Sequence, residues 1–197
     1  MEKAITKMNY EELQLDLAKH AQKGYPMFLA GIIFWLVTLI SSFILELEVL
    51  VWVYIFGVGL VFPLGILLAK LLSVNFLASH NPLSAIGGLV GGIQIFFAPI
   101  VILLAFNKPE WIPFVLGVLT GAHFLPYVAI YKSKTYLFQT IATVLTSSVI
   151  GQYWMEQAFV LIPAFFIIIY LITLFLLKVE MRKIAKVTIM INAKTTS

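Results

Sequence analysis

The chain contains no cysteine. That excludes a disulfide framework, a thiolate nucleophile, a zinc–thiolate site and an iron–sulfur cluster. Charge is nearly as scarce: Asp, Glu, Lys and Arg make up 11% of 197 residues against 61% hydrophobic ones, and mean hydropathy is +1.02. Soluble domains carry about 25% charged residues, so a chain this apolar is expected to have the lipid bilayer as its first partner. The net charge of +4 does not describe a nucleic-acid surface, because the cations flank apolar runs and do not interleave with exposed aromatics. No nucleic-acid partner is expected.

What is present is a series of apolar runs of about 20 residues, the length a helix needs to cross roughly 30 Å of hydrocarbon. They fall at Tyr25–Leu45, Val49–Ala69, Leu83–Phe106, Trp111–Tyr131, Tyr136–Trp154 and Ala158–Leu177. Short polar breaks separate them. The expected fold is an all-α polytopic transmembrane bundle of six spans, multi-pass in the cell membrane. If six helices alternate, Lys3, Lys7, Lys19, Lys23, Lys70, Lys132, Lys134, Lys178, Arg182, Lys183, Lys186 and Lys194 share one side and Lys108 takes the other. The positive-inside rule then puts both termini in the cytoplasm. The first run follows more than twenty polar residues without a small-residue cleavage site, which reads as a retained anchor and not a signal peptide.

Three regions follow: residues 1–24 as a cytoplasmic amphipathic N-terminal helix, 25–177 as the six-helix membrane domain, and 178–197 as a basic cytoplasmic tail. Asn9 with Glu12 has the spacing of a capping box, and Gly24 with Pro26 has the chemistry of a stop. Tyr10, Leu13, Leu17 and Ala21 recur at helical spacing. Such a helix either caps the bundle in solvent or lies against the membrane or a partner.

Within the spans the polar residues are few. No Asp, Glu, Lys or Arg falls inside any of them, which weighs against a carboxylate-coupled transporter. The ionisable group at depth is His123, in Gly121-Ala122-His123-Phe124-Leu125-Pro126-Tyr127. On a continuous helix Thr120, His123 and Tyr127 share a face, and Pro126 leaves the carbonyl of Ala122 without its usual N–H. Gln94, near the middle of the third run, is a candidate to meet His123. Thr120, His123, Tyr127 and Gln94 are therefore the candidate ligand-binding residues, against the alternative that His123 hydrogen-bonds across helices and only fixes their packing.

Gly87, Gly88, Gly91 and Gly92 form two overlapping G-x-x-x-G patterns, which suit close packing within the bundle, a homo-oligomer seam, or a flexible segment beside a binding site. Thr140, Thr143, Ser147 and Gly151 read as a packing face. Pro63 and Pro163 predict kinks. Trp52, Trp111, Tyr153 and Trp154 sit where an interfacial aromatic belt belongs. A faint aromatic-proline-glycine echo between the first and fourth runs is compatible with an inverted repeat.

Pro26 through Trp35, Asn81-Pro82-Leu83 with the glycines and Gln94, and above all the Gly121–Tyr127 motif resemble an uncharacterised family of small bacterial multi-span proteins common in Bacillus-type genomes. The resemblance implies a bacterial plasma membrane and a single multi-span domain, and it implies no activity. Catalysis is not expected, since His123 has no partner carboxylate or nucleophile at depth. No cofactor is expected, and no metal, because His20 and His80 make no ligand spacing with His123. A small-molecule or ion permease or channel is the leading reading, with a non-catalytic accessory or structural membrane protein as the alternative.

Overall fold

The computed structural model describes residues 8–195, with side chains described through residue 185. Lys3 and Lys7, and the side chains of Lys186 and Lys194, lie outside that range. Among the described residues the chain is helical throughout, without a strand.

Helix α1 (Tyr10–Ala21) starts where the capping box predicts: Asn9 Oδ1 accepts from the Glu12 N–H at 3.0 Å, and Glu12 Oε2 accepts from the Asn9 N–H at 2.8 Å. It ends in three consecutive left-handed residues, Gln22, Lys23 and Gly24, with φ of 46°, 49° and 72°. That reversal, with Pro26 in the first turn, launches α2 (Tyr25–Ser41). The predicted run continued to Leu45, but residues after Ser41 pair i to i−3, Phe43 with Ile40 and Ile44 with Ser41, and the chain turns. Helix α3 (Leu47–Leu71) then continues through Pro63.

The third and fourth runs are not single helices. The third is α4 (Pro82–Gly92), a 3₁₀ segment Ile93–Phe97, and α5 (Ala98–Asn107). Pro99 has no N–H for the Ile95 carbonyl, and the Ala98 N–H takes that acceptor instead, which tightens the turn. The fourth is α6 (Ile112–Ala122), a hydrogen-bonded turn over residues 123–126, and α7 (Tyr127–Ile130). The fifth, α8 (Lys134–Tyr153), is unbroken. Helix α9 (Ala158–Thr195) passes through Pro163 and continues through the region that the sequence set apart as a tail from 178.

Five helical stretches among the described residues are long and apolar enough to cross a membrane: Tyr10–Ser41, Leu47–Leu71, Pro82–Asn107, Pro109–Ile130 and Met155–Ala185. Helix α8 has 20 residues, about 30 Å at 1.5 Å per residue. It falls outside that set because its inner face is polar, with Gln139, Thr140, Thr143 and Ser147 all buried.

Helix α2 packs between α3 and α9, and α8 between α6 and α9. Their common core is aromatic: Phe28, Trp35, Tyr54 and Phe166 are at most 1% exposed, and Phe28 lies among Phe124, Tyr136 and Tyr170 with ring centroids 5.2–5.6 Å away. The close-approach seam lies between α6 and α8. A Cβ on Gly117 or Gly121 would collide with Ser147 or Thr143, and one on Gly151 with Phe114. The hydroxyl stripe is thus a packing face, as its pattern suggests, and the glycines it seats belong to the fourth run.

The third-run glycines behave otherwise. Space is open around Gly88 and Gly92, and Gly87 and Gly91 face the ring and hydroxyl of Tyr127. No helix backbone is seated there, because α4 and α5 lie at the edge of the bundle, where Leu89, Ile95 and Phe96 are exposed. Side chains such as Phe56, Leu60 and Phe106 are also exposed on the outside, the surface a lipid-embedded bundle presents.

Candidate functional site

The breaks in the third and fourth runs bring Gln94 and His123 together. Gln94 Nε2 lies 3.0 Å from His123 Nδ1, and the same Nδ1 lies 2.5 Å from the Thr120 carbonyl. The freed carbonyl is therefore that of Thr120 and not that of Ala122. Pro126 makes the turn tighten, the Leu125 N–H reaches Ala122 at 3.1 Å, and the Phe124 N–H shifts to Gly121 at 3.2 Å. Thr120, which a regular helix would have paired with Phe124, is left for the imidazole.

One ring nitrogen with two partners constrains the chemistry. A carbonyl can only accept, so the 2.5 Å contact assigns a proton to Nδ1. Gln94 then shares the Nδ1–H best through its carbonyl oxygen, the amide orientation that exchanges its O and N. The result is an imidazole held at one nitrogen by two elements.

Tyr127 is beside this group but bonded elsewhere. Its ring centroid is 6.1 Å from that of His123, and its hydroxyl donates to the Gly87 carbonyl at 2.7 Å. The four residues expected to form a site are thus adjacent, with Thr120, His123 and Gln94 directly linked and Tyr127 clamped to α4.

Beside them is a cavity of about 490 Å³ between α3, α4, α5 and α6. Gln94 and Thr120 line it, along with Gly59 and Pro63 of α3 and Gly88 and Gly92 of α4; His123 and Tyr127 do not. The remaining wall is aliphatic or aromatic. Pro63 has no N–H for the Gly59 carbonyl, so each run that borders the cavity carries a proline defect. Irregular backbone at membrane depth needs protein or a water-lined space to satisfy it; the Ile93–Phe97 segment borders this cavity through Gln94, Ile95 and Phe97, while the turn over residues 123–126 lies just outside its lining.

A second, more open groove of about 620 Å³ runs beside α1 and includes Lys23, Lys132 and Glu180. Four of its charged residues form two ion pairs, Lys23 with Glu180 at 2.6 Å and Lys132 with Glu11 at 2.6 Å. Lys23 is 3% exposed, although its position in the sequence reads as a solvated topology signal. Glu180 also accepts from Ser133 Oγ at 2.6 Å and Thr135 Oγ1 at 2.8 Å, and Tyr136 donates to the Lys23 carbonyl at 2.7 Å. This hub ties the α1–α2 reversal to the start of α8 and to α9. Lys23 and Glu180 are 157 positions apart, a separation at which sequence patterning carries no pairing signal.

These features define a helical membrane protein with a polar break in two of its membrane helices. A model of a family of unknown function, DUF7010, matches residues 10–180, and the chain belongs to that family. No curated protein and no solved structure matches it.

Proposed function

We propose that this chain is a small permease or channel of six spans in a bacterial cell membrane, with both termini in the cytoplasm, and that the cavity beside Gln94 and Thr120 receives its solute. The observation that carries the reading is the coincidence of the two helix breaks. Helices interrupted in mid-span and facing one another are how transporters expose backbone and amide groups to a solute. The predominantly apolar wall suits a small, weakly polar molecule that offers one hydrogen-bonding group to the Gln94 amide and the Thr120 hydroxyl. His123 then acts on the solute through Gln94, whose orientation it fixes. Six spans are supported by the length of α8 and by the way α1, Lys132 and Glu180 meet at one end while Pro109–Trp111 meets Met155–Gln157 at the other.

The test uses the absence of native cysteine. Gly92→Cys and Thr120→Cys, in native membranes, should react with a small charged thiol reagent, while Phe96→Cys on the outer surface should not. Failure of both cavity positions to react would mean that water does not reach the cavity, and the accessory or structural reading would replace the permease.

A further inference from the structure

His20 and His80, which make no ligand spacing with His123, meet at the α1 end of the molecule. His80 Nε2 lies 2.9 Å from Asp16 Oδ2 and His20 Nδ1 lies 3.2 Å from Asp16 Oδ1. The two imidazoles make an edge contact, with centroids 4.6 Å apart. One donor atom from each of Asp16, His20 and His80 falls within 4.8 Å of the other two.

We propose that Asp16, His20 and His80 bind a late first-row divalent cation, with Zn²⁺ the best match, and that the ion staples α1 to the turn that precedes α4. Two imidazoles and one carboxylate are a zinc donor set, and ligand bonds of about 2.0 Å put tetrahedral donors about 3.3 Å apart. The two imidazole nitrogens stand 2.9 and 3.2 Å from the Asp16 carboxylate, close to that spacing. Asp16 and His20 stand one helical turn apart on α1, so the helix presents both ligands together, and His80 comes from the turn ahead of Asn81 and Pro82.

The carboxylate is already oriented from outside the donor set. Asn81 Nδ2 donates to Asp16 Oδ2 at 2.8 Å and to the Leu13 carbonyl at 2.9 Å, while its Oδ1 caps α4 at the Leu83 N–H, 3.0 Å away. Such support around a ligand is what holds metal sites in register. His20 is the most exposed of the three, at 45% of its side chain, which leaves the fourth coordination position to solvent. Hard cations prefer oxygen donors, so Mg²⁺ and Ca²⁺ should not compete. The inference stands whether or not the membrane cavity carries a solute.

The test uses full-length protein in detergent, freed of any affinity tag, equilibrated with Zn²⁺ and passed through gel filtration. Wild type and His123→Gln should each retain one ion per chain by elemental analysis, and His20→Gln and His80→Gln should each lose at least nine-tenths of it. Co²⁺ in place of Zn²⁺ should give the visible absorption of a four-coordinate site in wild type and not in either variant. Should His80→Gln fail to fold, the exposed His20→Gln decides. Zn²⁺ retention equal in wild type and His20→Gln, or no retained ion in wild type, overturns the proposal.

Discussion

At the scale of single residues, His123 is held by two acceptors of different origin, one from its own broken helix and one from a neighbouring run. Removing the ring strands the Thr120 carbonyl and the Gln94 amide together, and a buried polar group without a partner costs about 1–3 kcal/mol. His123→Ala and Gln94→Leu should therefore each destabilise the protein and should not add. A double-mutant cycle by reversible unfolding in detergent is expected to return a coupling of about 0.5–3 kcal/mol; a coupling of zero would show that the 3.0 Å contact does no energetic work. Lys23 is the second such residue. With its side chain 4% exposed and Glu180 23% exposed, Lys23→Met leaves a half-sheltered carboxylate with only hydroxyl and amide donors, at a cost of up to about 3 kcal/mol. Lys23→Met combined with Glu180→Gln should recover part of that loss in melting temperature, and an unrecovered double variant would place the defect elsewhere in the reversal.

At the scale of elements, the glycines divide into two groups that a sequence pattern cannot separate. Gly117 and Gly121 on α6 meet Ser147 and Thr143 with no room for a side chain, whereas Gly88 on α4 meets open space. Gly121→Leu should overpack the α6–α8 seam and cost about 1–3 kcal/mol. Gly88→Leu should keep or raise stability, since Leu exceeds Gly in helix propensity by up to about 0.8 kcal/mol, while it fills the cavity and stops solute passage. Equal melting temperatures for the two variants would refute the assignment of the seam. The packing expectation rests on the two overlapping G-x-x-x-G patterns of the third run and passes over Gly117 to Gly121, which has the same spacing, and the packing reverses their importance. The capping box at Asn9, a helix stop ahead of Pro26 and the Gln94 to His123 meeting were legible, because each depends on local rules or on polarity at depth. The helix breaks themselves were less so. Pro63, Pro99 and Pro126 all stand within apolar runs, yet α3 continues through the first while the chain turns 3₁₀ ahead of the second and breaks into i to i−3 turns at the third. All three prolines are exposed, so burial does not separate these outcomes, and no single run encodes them. Asp16, His20 and His80 show the same limit: their meeting needs α1 folded back on the start of α4.

At the scale of the whole molecule, the two ends of the bundle differ in chemistry. One gathers Lys23, Lys132, Glu180 and the Asp16 cluster around α1; the other gathers Trp52, Trp111, Tyr153 and Trp154, all at helix ends and all partly exposed. A cation-rich end and an aromatic-rich end are what a positive-inside topology leaves behind, and they make the orientation testable with one cysteine at each. Ser133 has the right place in the sequence to report on the cation-rich end. Its side chain, however, is 1% exposed and bonded to Glu180, so silence from Ser133→Cys would follow from burial in either orientation. Lys134, exposed at the first turn of α8, avoids that ambiguity, and Glu110, 43% exposed in its side chain, serves the opposite end. In intact cells a membrane-impermeant thiol reagent should label Glu110→Cys and leave Lys134→Cys untouched until the membrane is opened. Both positions reacting in intact cells would mean that the fourth run, Pro109–Ile130, does not cross the membrane, and the reverse pattern would invert the topology and put α1 outside.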